Sequence, residues 1–229
     1  MSRRNKAKGT CHLCGNFGAL SFEHVPPRAA FNNRRIIKVT FEQAISLGPD
    51  EIVKGPIQQG GIGGHTLCPK CNNLTGHWYG TRFVGWCYQA MNILIRSHGK
   101  PSLIYLNYLF PLAILKQIVT MFFSVNTETF SKANPELVQF VLKREAKYLP
   151  PKYRFFMYYN TTGTFRFSGI WARLDPFSSR STTLMSEITY PPFGYVMTID
   201  SEPPDSRLFE ITHFSTYDYN FGFSWRLQD

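Results

Sequence analysis

Apolar residues recur with helical periodicity in three segments of this chain. The first predicted helix runs from Asn72 to Gly99, where a glycine closely followed by a proline is a typical helix end. The second covers residues 109–124, which are apolar enough for a helix buried in a core. The third begins at Asn134, a residue type that caps helix N-termini, and extends toward Lys147.

Shorter segments predict β-strands. Residues 19–22 form a short predicted strand, which ends before the rigid Pro26-Pro27 pair. The aromatic run 155–159 and residues 164–167 flank a turn-like segment and predict a β-hairpin. The glycine-rich segment 60–64 is expected to be irregular. Further predicted strands are 36–41, 186–190, 195–199 and 208–214.

Length and composition favour a globular protein with one large or two modest domains. Of 229 residues, 43% are hydrophobic and 16% are aromatic, which is ample for a packed core. The order of elements predicts an α+β fold: an N-terminal module over residues 1–100, then a helical segment and a small antiparallel β-sheet over residues 101–229. The sequence does not indicate whether this accessory domain recognises DNA, senses a ligand, forms a homodimer or binds a partner protein.

The excess of basic residues is concentrated in the N-terminal half. The formal net charge is +10, and residues 1–100 hold 13 Lys/Arg against 4 Asp/Glu, whereas residues 101–229 hold 12 against 11. A positive field confined to one module favours a polyanionic partner, and DNA or RNA is the usual one. A generally basic surface is the plainer alternative.

Two Cys-x-x-Cys pairs predict a zinc site. Cys11 and Cys14 form the first pair, and Cys68 and Cys71 form the second. Four thiolates in two such pairs make a closed tetrahedral site that stabilises structure and performs no chemistry. Two disulfides are the alternative, but Cys87 leaves an odd count and no secretory signal is apparent. We therefore expect a reduced, cytoplasmic protein, and the absence of a long apolar run predicts no membrane span.

Oxygen and imidazole groups accompany these cysteines. Glu23 and His24 lie between the two pairs, and Asn72 directly follows the second. Carboxylate and amide oxygens suit Mg²⁺ or Mn²⁺, which keep coordination positions for water and phosphate. An imidazole with a pKa near neutrality suits proton abstraction. Successive strand residues point to opposite faces, so Glu23 can face a cation while His24 faces the attacking water.

The order Cys-x-x-Cys, Glu-His, Leu-Cys-x-x-Cys-Asn-Asn-x-Thr-Gly resembles an HNH endonuclease module over residues 9–80. It is most similar to the recombination endonuclease VII subgroup, in which four zinc-binding cysteines hold a ββα-metal motif. The resemblance implies a DNA endonuclease with a one-metal mechanism, encoded by a bacterium or a phage and acting in phage defence, restriction or recombination. It also implies that Glu23 and Asn72 bind the catalytic Mg²⁺ or Mn²⁺ and that His24 is the general base.

Several assignments stay open at this stage. Asn73 and His77, four residues apart on the predicted helix, are alternative metal ligands to Asn72. The group that orients His24 is expected to be a backbone carbonyl or one of Asn32 and Asn33. RNA is not excluded as a substrate. Basic side chains near the site are expected to contact phosphates; they are Arg3, Arg4, Arg28, Arg34, Arg35 and Lys38.

Two other functions share some of these features. A non-catalytic, zinc-finger-like module that binds nucleic acid would have the same cysteines and charge, with the Glu-His pair incidental. A protein–protein adaptor with a purely structural zinc would need another acidic partner for its basic half. The Glu-His pair between the two cysteine pairs favours the nuclease.

Overall fold

The computed structural model describes residues 7–37, 46, 54–99, 105–174 and 182–227. Over these residues the protein is a mixed α+β fold with small antiparallel sheets and a four-cysteine cluster in its N-terminal region. The helices are α1 (Pro69–Thr75), α2 (Thr81–Arg96), α3 (Pro111–Val125), α4 (Phe130–Ala133) and α5 (Pro135–Leu142), with a π-helical segment (Gly76–Gly80) and a 3₁₀ helix (Thr212–Thr216). The strands are β1 (Lys8–Thr10), β2 (Phe17–Ala19), β3 (Ser21–His24), β4 (Ile36–Ile37), β5 (Ile57–Gln58), β6 (Gly63–Leu67), β7 (Tyr105–Leu109), β8 (Tyr153–Tyr159), β9 (Arg166–Leu174), β10 (Thr182–Tyr190), β11 (Phe193–Ile199), β12 (Phe209–Glu210) and β13 (Phe223–Leu227).

The three predicted helices are present. The first is longer than predicted at its start, because α1 begins at Pro69 and continues through the π-helical segment into α2. The second is α3. The third, α5, ends at Leu142 rather than near Lys147. The side chain of Asn134 does not cap it: Nδ2 donates to the Phe130 carbonyl, and Oδ1 accepts a hydrogen bond from a tyrosine hydroxyl.

The largest sheet corrects the predicted hairpin over 155–167. Its strand order is β12-β8-β11-β10-β9, so β8 and β9 are separated by two strands. Strand β8 pairs along its whole length with β11 instead. The backbone N–H of Asn160 donates to the Pro192 carbonyl at 2.9 Å, which ties the end of β8 to the β10–β11 turn. The predicted strand 208–214 is also shorter, because only Phe209–Glu210 pair before the 3₁₀ helix begins.

Strands β3 and β6 form an antiparallel pair that leads directly into α1. Glu23 lies opposite Gly64 and His24 opposite Gly63. The prediction of irregular backbone over 60–64 is therefore wrong for these two glycines. A side chain at Gly63 would place its Cβ 2.1 Å from the Glu23 carbonyl oxygen, so the strands can approach this closely only with glycine. The predicted strand 36–41 is seen at Ile36–Ile37, and its remaining residues lie outside the described residues.

Helix α3 lies at the centre of the hydrophobic core. Every residue from Pro111 to Phe123 is buried. The helix packs against elements that precede it in the chain, namely α2, the π-helical segment and β6. It also packs against elements that follow it, namely α5, β9, β10 and the 3₁₀ helix. The predicted domain boundary near residue 100 falls among residues 100–104, outside the described residues, and stays a prediction. Core contacts nevertheless join the two halves, as in the stacking of Trp86 on Phe193 with ring centroids 4.2 Å apart.

None of the helices in the described parts of the chain combines the length and apolarity needed to cross a membrane.

Candidate functional site

The four predicted zinc ligands meet in one cluster. The sulfur atoms of Cys11, Cys14, Cys68 and Cys71 all lie within 4.8 Å of one another, and the Cys14 and Cys68 sulfurs are 3.9 Å apart. A tetrahedron with Zn–S bonds of about 2.3 Å has sulfur–sulfur edges of about 3.8 Å. The cluster can therefore hold a metal ion and is consistent with a structural zinc.

Local backbone geometry brings the cysteines together. The first pair lies in the turn of the β1–β2 hairpin, where the backbone N–H of Gly15 donates to the Cys11 carbonyl at 2.9 Å and Gly15 adopts a positive φ of 73°. In the second pair, Cys68 precedes the first residue of α1 and Cys71 lies in its first turn. The Cys68 N–H donates to the Cys11 sulfur at 3.2 Å, which fixes one pair against the other.

The thiols of the cluster do not ionise independently. A hydrogen bond from Cys71 lowers the pKa of Cys11 to about 4, whereas the same contact raises the pKa of Cys71. Burial raises the pKa of Cys14. Ionisation of one thiol thus makes ionisation of the neighbouring thiols less favourable. A divalent cation supplies the positive charge that allows all four to lose their protons.

A cleft of about 460 Å³ lies next to the cluster. Glu23, His24 and Asn72, the three residues predicted to carry chemistry, all line it. The π-helical segment, the start of α2 and a residue of α3 complete its walls. The strand pair and the helix that follows the second cysteine pair thus bring the predicted site residues to one place.

Glu23 is the most unusual group in this cleft. Its side chain is only 6% exposed. Among the residues that the structure describes, no hydrogen-bond donor and no basic side chain contacts its carboxylate, and burial raises the pKa of Glu23 to about 8. A buried carboxylate without a partner is costly to a folded protein. A cation bound in the cleft would compensate that cost.

The orientation of His24 is defined by the backbone. His24 Nε2 lies 3.1 Å from the Gly60 carbonyl oxygen, and the ring meets Phe22 edge-on with centroids 4.9 Å apart. A carbonyl oxygen only accepts hydrogen bonds, so this contact places the proton of the neutral ring on Nε2 and leaves Nδ1 as the basic nitrogen. Of the orienting groups considered from the sequence, a backbone carbonyl is the one that contacts His24.

Asn32 holds the loop that carries this carbonyl. Its side chain is fully buried, donates to the carbonyls of Pro26 and Ile62, and accepts from the Ile62 N–H at 2.6 Å. The backbone of Asn32 also lies against Gly61, where an added Cβ would be 2.2 Å from the Asn32 carbonyl oxygen. Asn32 therefore supports His24 indirectly, through the Gly60–Ile62 segment. Asn33 is exposed and makes no such contact among the described residues.

Asn72 lines the cleft and is held by its amide nitrogen. The Asn72 side-chain nitrogen donates to the Ser21 hydroxyl at 3.0 Å and to the Phe22 carbonyl at 3.2 Å. Because a carbonyl cannot donate, these bonds identify the amide nitrogen, and Oδ1 has no hydrogen-bond partner among the described residues. The alternative ligands Asn73 and His77 are exposed and are not among the described residues that line the cleft.

A stripe of small residues keeps the cleft open along the helix. Asn72, Gly76, Gly80 and Val84 follow one another at intervals of four and all line the cleft. In a regular α-helix, steps of four residues drift around the axis because a turn holds about 3.6 residues. The π-helical segment Gly76–Gly80 has wider turns and counteracts that drift. The π-helical segment therefore keeps these four residues on one face of the helix.

Gln117 is a cleft residue that sequence reasoning missed. It lies on α3, is 1% exposed and lines the same cleft. Its Oε1 is buried and has no hydrogen-bond partner among the described residues. Unsatisfied buried acceptors of this kind are rare and call for a ligand or a water. The available signal was a polar residue next to Lys116 in a mostly apolar helix, and this pattern does not show where the side chain points.

The basic residues near the cleft carry unbalanced charge. Arg28 lines the cleft. Arg28, Arg34 and Arg35 are all exposed. All seven ion pairs between described residues join side chains from Glu136 to Asp218, so none neutralises these arginines. Arg28 is therefore a positive charge at the cleft that no described carboxylate neutralises. The other predicted phosphate contacts, Arg3, Arg4 and Lys38, lie outside the described residues.

Comparison of the chain with protein-family models, with curated proteins and with solved structures finds no match.

Proposed function

We propose that this protein is a metal-dependent endonuclease of the HNH type that hydrolyses phosphodiester bonds in DNA. The observation that carries the proposal is the buried Glu23 carboxylate, which has no hydrogen-bond or ion-pair partner among the described residues and lines one cleft with His24 and Asn72. A structural role does not explain such a group, because an uncompensated buried carboxylate only weakens a fold.

Glu23 and Asn72 are the proposed ligands of a catalytic Mg²⁺ or Mn²⁺. Both offer oxygen atoms, the donor type that these hard cations prefer. The unsatisfied Oε1 of Gln117 is a third oxygen donor on the cleft wall. Bound there, the cation would polarise the phosphate and stabilise the charge that develops on the leaving oxygen.

His24 is the proposed general base. With the proton of the neutral ring directed at the Gly60 carbonyl, Nδ1 can accept a proton from the water that attacks phosphorus. The Asn32 network keeps this loop in place, so the imidazole does not have to be ordered during the reaction. The four cysteines take no part in the chemistry and hold β3, β6 and α1 together.

Three arginines that pair with no carboxylate among the described residues support DNA as the substrate. Arg28 lies at the cleft itself, and Arg34 and Arg35 follow it closely in sequence. Each phosphate that such a side chain neutralises releases condensed counterions, which favours binding of a polyanion over a small anionic substrate. RNA offers the same phosphates and is a comparison in the test.

The test is cleavage of supercoiled plasmid and of a labelled RNA with Mg²⁺, with Mn²⁺ and without added divalent cation. Wild type is expected to relax the plasmid only with added cation, and His24→Ala to lower the rate about 10²- to 10⁴-fold, since this is what a general base contributes. His65→Ala is the matched control, because His65 is exposed, also contacts the Phe22 ring edge-on and does not line the cleft.

The proposal fails if His24→Ala, shown by circular dichroism to be folded, cleaves as fast as wild type. If wild type shifts DNA on a gel in a salt-dependent way but never cleaves it, the non-catalytic nucleic-acid-binding function is correct instead.

A further inference from the structure

A second depression, which we call the aromatic groove, adjoins the cleft. It measures about 560 Å³ and is lined by two aromatic ring pairs, Phe31 with Tyr88 and Phe165 with Tyr190, and by Arg34. Arg28 lines both the aromatic groove and the cleft. A strand bound in one depression can therefore continue into the other.

The rings of the aromatic groove are unusually accessible. Tyr88, on α2, is 50% exposed, and Phe165, immediately before β9, is 52% exposed. Each contacts a less exposed ring that supports it: the Phe31 and Tyr88 centroids are 4.7 Å apart, and those of Phe165 and Tyr190 are 4.9 Å apart. Aromatic side chains normally bury most of their surface, so two exposed rings at one depression point to a ligand with an apolar face.

One hydrogen bond ties the two ring pairs together. The Tyr190 hydroxyl donates to the Phe31 carbonyl oxygen at 3.0 Å. Phe31 itself adopts a positive φ of 67°, a conformation that is costly for a bulky residue and is kept only where its surroundings demand it. The aromatic groove is therefore a fixed arrangement that brings a ring pair of the C-terminal half next to a ring pair of the N-terminal half.

The charge beside these rings selects an anionic ligand. Arg28 and Arg34 are exposed and, among the described residues, neither is paired with a carboxylate. Flat apolar rings with unpaired arginines match the two parts of a nucleotide, a base with two π faces and a phosphate. A base inside a duplex has both faces covered by its neighbours, so only an unpaired base can stack on a protein ring.

We propose that the aromatic groove binds an unpaired base of single-stranded DNA, stacked on Tyr88 and Phe165, while Arg28 and Arg34 contact the flanking phosphates. This inference rests on the proposed function for its choice of a nucleic acid. It adds the substrate form: a single strand, or a single-stranded segment, that runs from the groove across Arg28 into the cleft.

The test is equilibrium binding of fluorescent oligonucleotides, measured by anisotropy without added Mg²⁺ or Mn²⁺ so that no cleavage occurs. The probes are oligothymidylate, an abasic strand of the same length, the corresponding DNA duplex and oligouridylate. Wild type is expected to bind oligothymidylate more tightly than the duplex and the abasic strand. Tyr88→Leu and Phe165→Leu are each expected to weaken oligothymidylate binding by about 5- to 150-fold, the range for loss of one base–aromatic stack.

Three further variants distinguish base stacking and phosphate contact from general effects of substitution. Tyr88→Phe keeps a ring and should retain binding, and Tyr148→Leu removes an exposed ring outside the aromatic groove and should change nothing. Arg34→Gln should weaken the binding of all probes by a similar factor. It should also lower the slope of log affinity against log salt by about 0.7, the value for one phosphate contact on a single strand. Because Tyr88 and Phe165 lie on different elements, loss of folding in one leucine variant still leaves the other as a test.

Leucine variants that bind oligothymidylate and the abasic strand as wild type does would overturn the inference. So would a wild type that prefers duplex. Binding with the expected preference but without any cleavage in the plasmid assay would refute the proposed hydrolysis and leave the aromatic groove intact. Cleavage with no preference for unpaired bases would refute the aromatic groove as a binding site and leave the proposed hydrolysis intact. Equal affinity for oligouridylate would show that the base, rather than the sugar, is recognised, in keeping with the inference.

Discussion

The Asn72 side-chain nitrogen donates a hydrogen bond of 3.0 Å to the Ser21 hydroxyl. This bond joins the residue that follows the last cysteine of the cluster to the first residue of β3, the strand that carries Glu23 and His24. The Asn72 side chain therefore links the position of the cysteine cluster to the position of the proposed catalytic residues.

Asn72→Ala should remove this coupling together with the free amide oxygen. We expect cleavage to fall at least about tenfold, since small displacements of reacting groups are costly to rate, and stability to fall by about 1 kcal/mol for the lost hydrogen bonds. Plasmid cleavage and urea unfolding measure the two effects. Asn73→Ala is the control, and loss of activity there or in His77→Ala, but not in Asn72→Ala, would identify the alternative ligands as correct.

Replacement of Glu23 by glutamine should separate stability from activity. The amide has nearly the same shape and carries no charge, so burial costs it less than it costs the carboxylate. Glu23→Gln is expected to melt at a higher temperature than wild type in the absence of added divalent cation, and to lose cation-dependent cleavage. A variant that is less stable than wild type would show that the carboxylate has a structural partner.

The cysteine cluster should bind one zinc ion per chain, measurable by mass spectrometry of the purified protein. Chelation should lower the melting temperature, because the free energy of binding a structural metal is also free energy of folding. Cys71→Ser should lose the metal, whereas Cys87→Ala should keep it, since Cys87 is buried away from the cluster within α2. An unchanged melt after complete zinc removal would contradict the structural role.

Gly80 offers a test of the open cleft. A Cβ at Gly80 would meet only the Gln117 side-chain oxygen, at 3.9 Å, and Gly80, the last residue of the π-helical segment, has the right-handed helical dihedrals φ −58° and ψ −46°. Gly80→Ala should therefore raise the free energy of unfolding by about 0.5–1 kcal/mol, the helix preference of alanine over glycine. Gly80→Leu should project into the cleft and reduce cleavage. Gly85→Leu is the matched control, because Gly85 is an exposed helical glycine with free space around it that does not line the cleft.

Lys116 should make stability depend on pH. Its buried ammonium donates to the carbonyls of Lys143 and Arg144, and burial lowers the pKa of Lys116 to about 7. In the unfolded chain the ammonium keeps its proton up to its ordinary pKa of about 10.4. Between these values the unfolded state binds more protons, so the free energy of unfolding should rise with pH.

The measurement is urea unfolding at several pH values between 7 and about 10.4 for wild type and Lys116→Met. The difference between their slopes should be at most about 1.4 kcal/mol per pH unit, the value for one proton. Other titrating groups are common to both proteins and cancel. Parallel slopes would show that Lys116 keeps its proton in the folded state.

Much of the metal cluster and its surroundings was predictable from the sequence, because the relevant constraints are local. A Cys-x-x-Cys pair brings two sulfurs together through one turn of backbone, and two such pairs leave few alternatives to a four-sulfur cluster. The helices were recognisable by their apolar residues and, for the first, by the glycine near its end. That Glu23, His24 and Asn72 would lie close together was predictable because each is within a few residues of a strand end or a cysteine.

The strand order was not predictable, because alternation reveals the two faces of a strand but not its neighbour. Strands β8 and β9 are close in sequence and still separated by two strands, because β8 pairs along its whole length with β11. The same limit applies to the side chains that complete the cleft. Gln117 reaches it only because α3 packs against the π-helical segment, and the Gly60 carbonyl faces His24 only because Asn32 holds its loop.

By itself the sequence determined which chemical groups the protein contains and which of them lie together along the chain: four thiols, a carboxylate beside an imidazole, and an excess of positive charge in one half. The tertiary structure alone decided that this carboxylate is buried with no partner among the described residues, and that two ring pairs distant in sequence line one groove beside it. Burial and long-range contact depend on how elements pack, and packing is a property of the whole chain that no local pattern contains.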